Sequence, residues 1–169
     1  MPTYRVDGAG SALVVRARSS VHDTDTRFDQ VTGSVEADPA ALETAGATAR
    51  FEVHMASFDA GDWLKNRKLK KDLELDTHPT AQFELRELRE VTRGESSRFE
   101  AVAVGVIRYR GRELPMEIRG SGTMDEHGID ATGSFDVDIR AFGMQPPKIL
   151  MFKIEPEVTI EVTLRARAS

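Results

Sequence analysis

Residues 99–137 constrain this chain most, because their pairing can be worked out from the sequence. Arg110-Gly111 has the composition of a two-residue hairpin loop, with the glycine supplying a positive φ. That loop sets Tyr109 opposite Arg112, Ile107 opposite Leu114, Gly105 opposite Met116, Ala103 opposite Ile118, Ala101 opposite Gly120 and Phe99 opposite Gly122. A second turn, Asp125-Glu126-His127-Gly128, sets Met124 opposite Ile129, Gly122 opposite Ala131, Gly120 opposite Gly133, Ile118 opposite Phe135 and Met116 opposite Val137. Because side chains alternate along a strand, all of these apolar and small residues share one face of a three-stranded sheet.

At the middle of that face stand Ala101, Gly120, Gly122, Ala131 and Gly133, ringed by Phe99, Ile118, Met124 and Phe135. Glycine inside a strand forfeits packing and costs backbone entropy, so several together imply that something else needs the space. Either the interior is hollow and receives an apolar ligand, or small residues relieve crowding where a barrel tapers or a helix packs closely. Both readings stay open at this level.

The rest of the chain repeats the two-residue period. Leu13, Val15 and Ala17 alternate with polar or outward residues, and after a polar turn at residues 22–26 a strand resumes over 28–35. Residues 38–43 read as a loop, and Ala47, Ala49, Phe51, Val53 and Met55 then alternate strictly with Thr48, Arg50, Glu52 and His54. Further strands are expected over 80–88 and 157–167. The pattern breaks once. Residues 63–73 lack β-branched side chains and are rich in helix formers, with Asp62 placed to cap the first turn, Leu69 and Leu73 on one face and Leu64 at its buried edge. The expected fold is mainly β, an extended antiparallel lipocalin-like β-barrel of about eight strands with one inserted helix, and residues 1–169 read as a single domain.

Several function classes recede on composition. The chain carries 28 acidic against 23 basic residues, which gives no general attraction for nucleic acid. Absence of cysteine removes disulfides, thiolate metal sites and thiol nucleophiles together. The start has no basic segment followed by an apolar run, and no stretch of about eighteen apolar residues occurs, so a soluble protein is expected, cytoplasmic unless a leader has been removed.

Four histidines, His22, His54, His78 and His127, show no metal-ligand spacing, and no nucleophilic serine has a positioned base, so neither a metal, a cofactor nor a catalytic residue is nominated. His22 with Asp23 and Asp25, and the outward pair Asp136 and Asp138, read better as solvated turn and strand residues than as ion-binding or acid-base groups. The basic run Lys65, Arg67, Lys68, Lys70 and Lys71 reads as the wet face of the helix, with transient contact to an anionic membrane surface as the sharper alternative and Trp63 as a rim aromatic. Val102, Val104 and Val106 on the outward face form a candidate homodimer surface.

Taken in order, the pieces resemble the YceI-like family of lipocalin-like, polyisoprenoid-binding proteins. The resemblance rests on Tyr4-Arg5-Val6-Asp7, Phe28-Asp29-Gln30-Val31-Thr32-Gly33, Ser57-Phe58-Asp59-Ala60-Gly61, His78-Pro79-Thr80 with Phe83, Tyr109-Arg110-Gly111, Ile139-Arg140-Ala141-Phe142-Gly143-Met144 and Glu157-Val158-Thr159-Ile160. It implies a barrel partly closed by a helix, with a long isoprenoid-type lipid in an apolar channel. Two departures stand out: Gly10-Ser11 takes the place of the family's His-Ser pair, and Lys68 stands where its helix often carries histidine. They bear on head-group contacts and leave the channel untouched.

Together these features predict a non-catalytic carrier of an isoprenoid or similar long apolar lipid or quinone. The candidate lining is Phe51, Val53, Phe83, Phe99, Ala101, Ala103, Met116, Ile118, Gly120, Gly133, Phe135, Phe142 and Met144. Residues 142–144 and 150–152 are expected to form a mobile mouth. An enzyme working on such a ligand in the same cavity, or a structural protein with a filled barrel, are the alternatives.

Overall fold

The computed structural model describes residues 1–19, 23–44, 46–146, 148–149 and 152–169, with the backbone alone at 148–149 and 152–153. The strands are β1 (Thr3–Val6), β2 (Ala12–Ser19), β3 (Thr24–Phe28), β4 (Val31–Glu36), β5 (Thr48–His54), β6 (Phe58–Asp59), β7 (Thr80–Arg93), β8 (Arg98–Tyr109), β9 (Arg112–Met124), β10 (Gly128–Asp138), β11 (Lys148–Ile149) and β12 (Phe152–Ala168). One helix, α1 (Trp63–Leu73), lies between β6 and β7. Short helical turns occupy Gly8–Gly10, Met55–Ser57 and Ile139–Phe142.

Eight of these strands close a ring in the order β1, β4, β5, β7, β8, β9, β10 and β12, with β12 pairing back to β1. The fold is the expected mainly β antiparallel barrel with one helix. Its strands are more numerous than eight because the early ranks are broken. β12 pairs with β1 near Ala168 and with β2 from Thr163 onward, so β1 and β2 are two halves of one rank. Ser11 lies at the break, buried, where its hydroxyl donates to the Arg165 carbonyl (3.1 Å) and accepts from the Arg165 N–H (2.9 Å). It takes up the Arg165 N–H that the interrupted ladder would otherwise leave unpaired, while the Arg165 carbonyl also accepts from the Asp7 N–H (2.7 Å). Further round, β6 pairs with β3, and α1 leads from it to β7.

The central hairpin follows the expected register from Tyr109–Arg112 to Phe99–Gly122, with Arg110 (φ 54°) and Gly111 (φ 73°) making the left-handed turn. Met124–Ile129, Gly122–Ala131 and Gly120–Gly133 pair as expected too. Below them the expectation fails. The β9–β10 ladder ends at Arg119–Ser134, so Ile118–Phe135 and Met116–Val137 are not ladder neighbours. β9 stays with β8 to Tyr109–Arg112 while β10 stays with β12 to Asp138–Glu157, and accumulated sheet twist draws the two strands apart.

Other boundaries also shift. β7 runs to Arg93 rather than ending near residue 88, because register shifts after Leu85 and after Arg89, with Glu90 at φ 52°, absorb extra residues without breaking the ladder. Residues 24–26 belong to β3 instead of a turn, with Asp25 opposite Arg16 and ion-paired to it at 3.0 Å. The last strand starts at Phe152, with a shift between Ile154 and Val158 where Pro156 has no N–H to give.

The outward valines are mostly covered, with Val104 half-buried. Val102 and Val106 are 5% and 6% exposed. Their cross-strand neighbours include Arg89 and Arg119 for Val102, and Glu84 for Val106. Long side chains cover apolar surface with their stems while their heads pair above it. Arg89 pairs with Glu117 there, and Arg108 with Glu84 (2.8 Å) and Glu113 (2.7 Å).

Two buried clusters lie at opposite ends of the barrel. One gathers Tyr4, Val35, Ala37, Leu42, Ala47, Leu85, Met124, Ile129 and Ala166. The other gathers Phe28, Met55, Leu73, Tyr109, Val137, Phe142 and Val158 against the helix.

Candidate functional site

Between the clusters most inward residues keep accessible surface, with Ala101 of β8, 6% exposed, an exception. Along β10, Ile129 and Val137 are buried while Ala131, Gly133 and Phe135 keep accessible surface. Along β12, Ala166 and Val158 are buried while Leu164, Val162 and Ile160 keep theirs. Residues on the inward parity that remain accessible at mid-strand border an interior space. That space is a cavity of about 420 Å³, inside the range of about 300–1,000 Å³ usual for small-molecule sites.

Its wall is almost wholly apolar. Phe51, Val53, Phe83, Phe99, Ala101, Ala103, Ile118, Gly120, Gly133, Phe135, Phe142 and Met144 all line it. Met116 does not; it packs against the helix-end cluster, in the stretch where β9 has left β10. Of the expected mouth, Phe142 is buried against the Tyr109 ring, with centroids 5.8 Å apart, Met144 is half-buried against the same cluster and Gly143 is exposed. Residues 150 and 151 of the expected mouth lie outside the described residues, as does His22.

Both explanations of the small residues hold, at different positions. Ala101, Ala103 and Ala131 border the open space. Gly122 does not, and a side chain there would overlap the Asp130 carbonyl, so its glycine answers to close backbone approach. Gly120 and Gly133 serve both ends: they line the cavity, yet a Cβ would lie 3.0 Å from the Thr132 carbonyl oxygen and 3.1 Å from the Ile118 Cγ2 respectively.

The helix is wired into place by the segment before it. Asp62 caps α1 by accepting from the Lys65 N–H at 2.8 Å. Asp59 accepts from the Gly61 N–H (2.9 Å) and the Asn66 amide (3.2 Å), bonds that hold its carboxyl below the usual carboxylate range, and Asn66 in turn accepts from the Ala60 N–H (2.6 Å). At the other end Glu74 takes the left-handed conformation (φ 50°), and Arg110 of the hairpin turn reaches both the Glu74 carboxylate (2.9 Å) and the Leu73 carbonyl (3.5 Å). Asp59, read in the sequence only as part of a motif, and Asn66, not singled out there, therefore tie the start of the helix to the segment before it.

So held, α1 turns Leu69, Leu73, Lys65 and Lys68 toward the cavity. The two lysines are the charged residues of its described wall. Lys65 lies 3.9 Å from Asp62 and Lys68 3.6 Å from Asp72, and the Asp72 Oδ2 is buried with no hydrogen-bond partner. Tyr109 also lines the wall; its buried hydroxyl makes no hydrogen bond of normal geometry, and burial pushes its pKa above the ordinary 10.0 despite the opposing Arg110 guanidinium beside it. The sequence treated the basic run as a single solvated face, whereas Lys65 and Lys68 fall one helical turn apart on the inner side. Leu64, expected at the buried edge, is 49% exposed because it falls on the opposite arc.

Among the described residues the acidic side chains singled out in the sequence do not converge into an acid-base pair. Asp136 accepts from the Thr159 hydroxyl (2.6 Å), and Asp138 caps the 139–142 turn and pairs with Arg140 (2.6 Å). Among the described residues no three His, Asp or Glu side chains group as metal ligands, and no helix is long and apolar enough to cross a membrane.

The YceI-like domain model matches residues 4–166. The chain belongs to the YceI-like family. Among solved structures, this YceI-like chain is similar to BcnA of Burkholderia cenocepacia, with TM-score 0.76 and 21% identity over 95% of this chain and 98% of that one. It is similar to a polyisoprenoid binding domain from Saccharophagus degradans implicated in plant cell wall breakdown, with TM-score 0.77 and 13% identity over the full length of both. A YceI protein of Campylobacter jejuni superposes with TM-score 0.65 at 12% identity, covering 85% of this chain and 84% of that one. At these identities the structures share the fold. A search of curated proteins found no significant match.

Proposed function

We propose that this YceI-like barrel binds the tail of an isoprenoid or comparable long-chain lipid in its interior and carries it without a chemical step. The observation that supports this best is the apolar cavity itself, with mid-strand inward residues left accessible between two buried ends. Each CH₂ moved from water into such a wall contributes about 0.8 kcal/mol, so a long chain is held by length alone. Phe51, Val53, Phe83, Phe99, Ala101, Ala103, Ile118, Gly120, Gly133, Phe135, Phe142 and Met144 contact the tail in this reading, and Met116 packs against the cluster that contains Phe142. The polar end of the ligand lies at α1, where Lys65 and Lys68 provide the charged groups of the wall. The solved polyisoprenoid binding domain with the same fold is consistent with this class of ligand.

The test is mass spectrometry of lipid extracted from natively purified protein, joined to uptake of a fluorescent fatty acid by Ala101→Phe. A ring at that position fills the hollow without meeting the crowded backbone found at Gly120. Folded Ala101→Phe protein that loads lipid as well as the parent sinks the proposal.

A further inference from the structure

At about 100° per residue, α1 divides into two arcs. Lys65, Lys68, Leu69 and Leu73 take the inner one and line the cavity. Trp63, Leu64, Arg67, Lys70 and Lys71 fall within about 120° on the outer one and are exposed. Trp63 is 72% exposed, and with Leu64 and Met1 it makes up the exposed large hydrophobics among the described residues. The cations beside it are unlike their inner counterparts: Lys65 and Lys68 have acidic neighbours, whereas Arg67, Lys70 and Lys71 have no ion-pair or hydrogen-bonded side-chain partner among the described residues. Three unpaired cations around an exposed indole stand out in a chain of net charge −5.

We propose that the outer arc of α1 docks this protein on an anionic bilayer surface. Trp63 and Leu64 enter the headgroup layer, and Arg67, Lys70 and Lys71 meet the lipid anions, because an interfacial helix pairs a shallow apolar edge with flanking positive charge. Basic residues alone would suit a nucleic-acid backbone equally; an exposed Leu64 beside the indole suits lipid. The docked face is the back of the same helix that lines the cavity, so contact places the cavity wall one helix diameter from the membrane. The inference rests on the carrier reading for its cargo and not for the contact itself.

The single tryptophan of the chain is Trp63, so its fluorescence reports docking directly in the unaltered protein. Vesicles of phosphatidylcholine with about a third phosphatidylglycerol are expected to shift the emission to the blue and to sediment the protein; phosphatidylcholine alone should do neither, and added salt should reverse the effect. Lys70→Glu with Lys71→Glu should weaken partitioning about tenfold or more, as should Trp63→Ser with Leu64→Ser read by sedimentation. Both double variants should load a fluorescent fatty acid normally in solution, since none of the four residues lines the cavity. Equal binding to neutral vesicles, no binding to anionic ones, full binding by the charge-reversed variant, or preference for duplex DNA over vesicles would each overturn the proposal. Vesicle binding without fatty-acid loading would instead overturn the carrier reading and leave docking intact.

Discussion

The two tyrosines of this chain stand at opposite ends of the barrel, and their surroundings differ. Tyr4 is 0% exposed, packed with Leu42 and Ala166, and its hydroxyl donates to the Asp125 carbonyl at 2.7 Å. Tyr109 is buried too, edge-on to Phe142 and His78, but its hydroxyl makes no hydrogen bond of normal geometry, with the Arg110 guanidinium as its charged neighbour. A second orphan, the Asp72 Oδ2, belongs to the helix that packs at the same end. An unsatisfied buried polar atom costs about 1–3 kcal/mol, so the α1 end is held less favourably than the Tyr4 end. One end is a finished plug. The other keeps two buried polar atoms, the Tyr109 hydroxyl and the Asp72 Oδ2, without a well-formed hydrogen bond among the described residues.

The largest effect expected from this contrast is on stability. Leu42→Ala, in the plug, should cost about 2–5 kcal/mol in chemical denaturation. Leu69→Ala at the helix end should cost clearly less, because Leu69 is only half-buried while Leu42 is 3% exposed, so fewer contacts are lost when its side chain is removed. Equal losses would erase the distinction between the ends.

Cavity filling sharpens it next. Ala131→Phe should reduce fatty-acid affinity by at least about tenfold, as several CH₂ groups lose their wall, with a melting temperature near that of the parent. An intact affinity would show that the ligand does not pass the middle of β10.

The tyrosines give a smaller, sign-dependent comparison. Tyr4→Phe should lose about 1 kcal/mol with its hydrogen bond, whereas Tyr109→Phe should be neutral or stabilising in the empty protein because it removes a desolvated hydroxyl. Thermal melts of the two variants side by side decide it. Destabilisation by Tyr109→Phe would mean that the hydroxyl does have a partner.

The smallest effect is acid sensitivity, expected at both ends. Backbone N–H groups of His127 and Gly128 hold the Asp125 carboxyl below its ordinary 3.8 near the plug, and the Gly61 N–H and Asn66 do the same for Asp59 near α1. A carboxyl with a lowered folded value binds fewer protons folded than unfolded, so its stabilisation is present above pH 3.8 and is lost as pH falls through the lowered values. Melting temperature should therefore fall below about pH 4, and Asp125→Asn should flatten that fall. An unchanged acid profile in that variant would remove Asp125 from the account.

Strand parity made most of the cavity wall legible in advance. Tyr109–Arg112 and Met124–Ile129 fix a register by turn chemistry alone, and once the register is fixed every side chain on those strands has a face. Local signals likewise placed α1, since Asp62 caps its first turn and the run after it consists of good helix formers. Non-local features were beyond such reading. Met116 has the right parity but loses its place because β9 and β10 separate, and Val102 is covered by arginine and glutamate stems that only strand pairing brings together. The difference between Gly122, crowded by the Asp130 carbonyl, and Ala131, facing open space, is likewise invisible until two strands are set at their actual separation.

What the amino-acid order determined by itself was periodicity: which residues face in, where the hairpins turn and where the one helix begins. Those follow from backbone geometry within a few residues. Whether the inward faces meet across the barrel or leave a hollow, and which lysines of the basic run turn toward it, was decided by tertiary structure. Both depend on distances between segments far apart in the chain, set by sheet closure and by the Arg110 and Asn66 contacts that fix the helix.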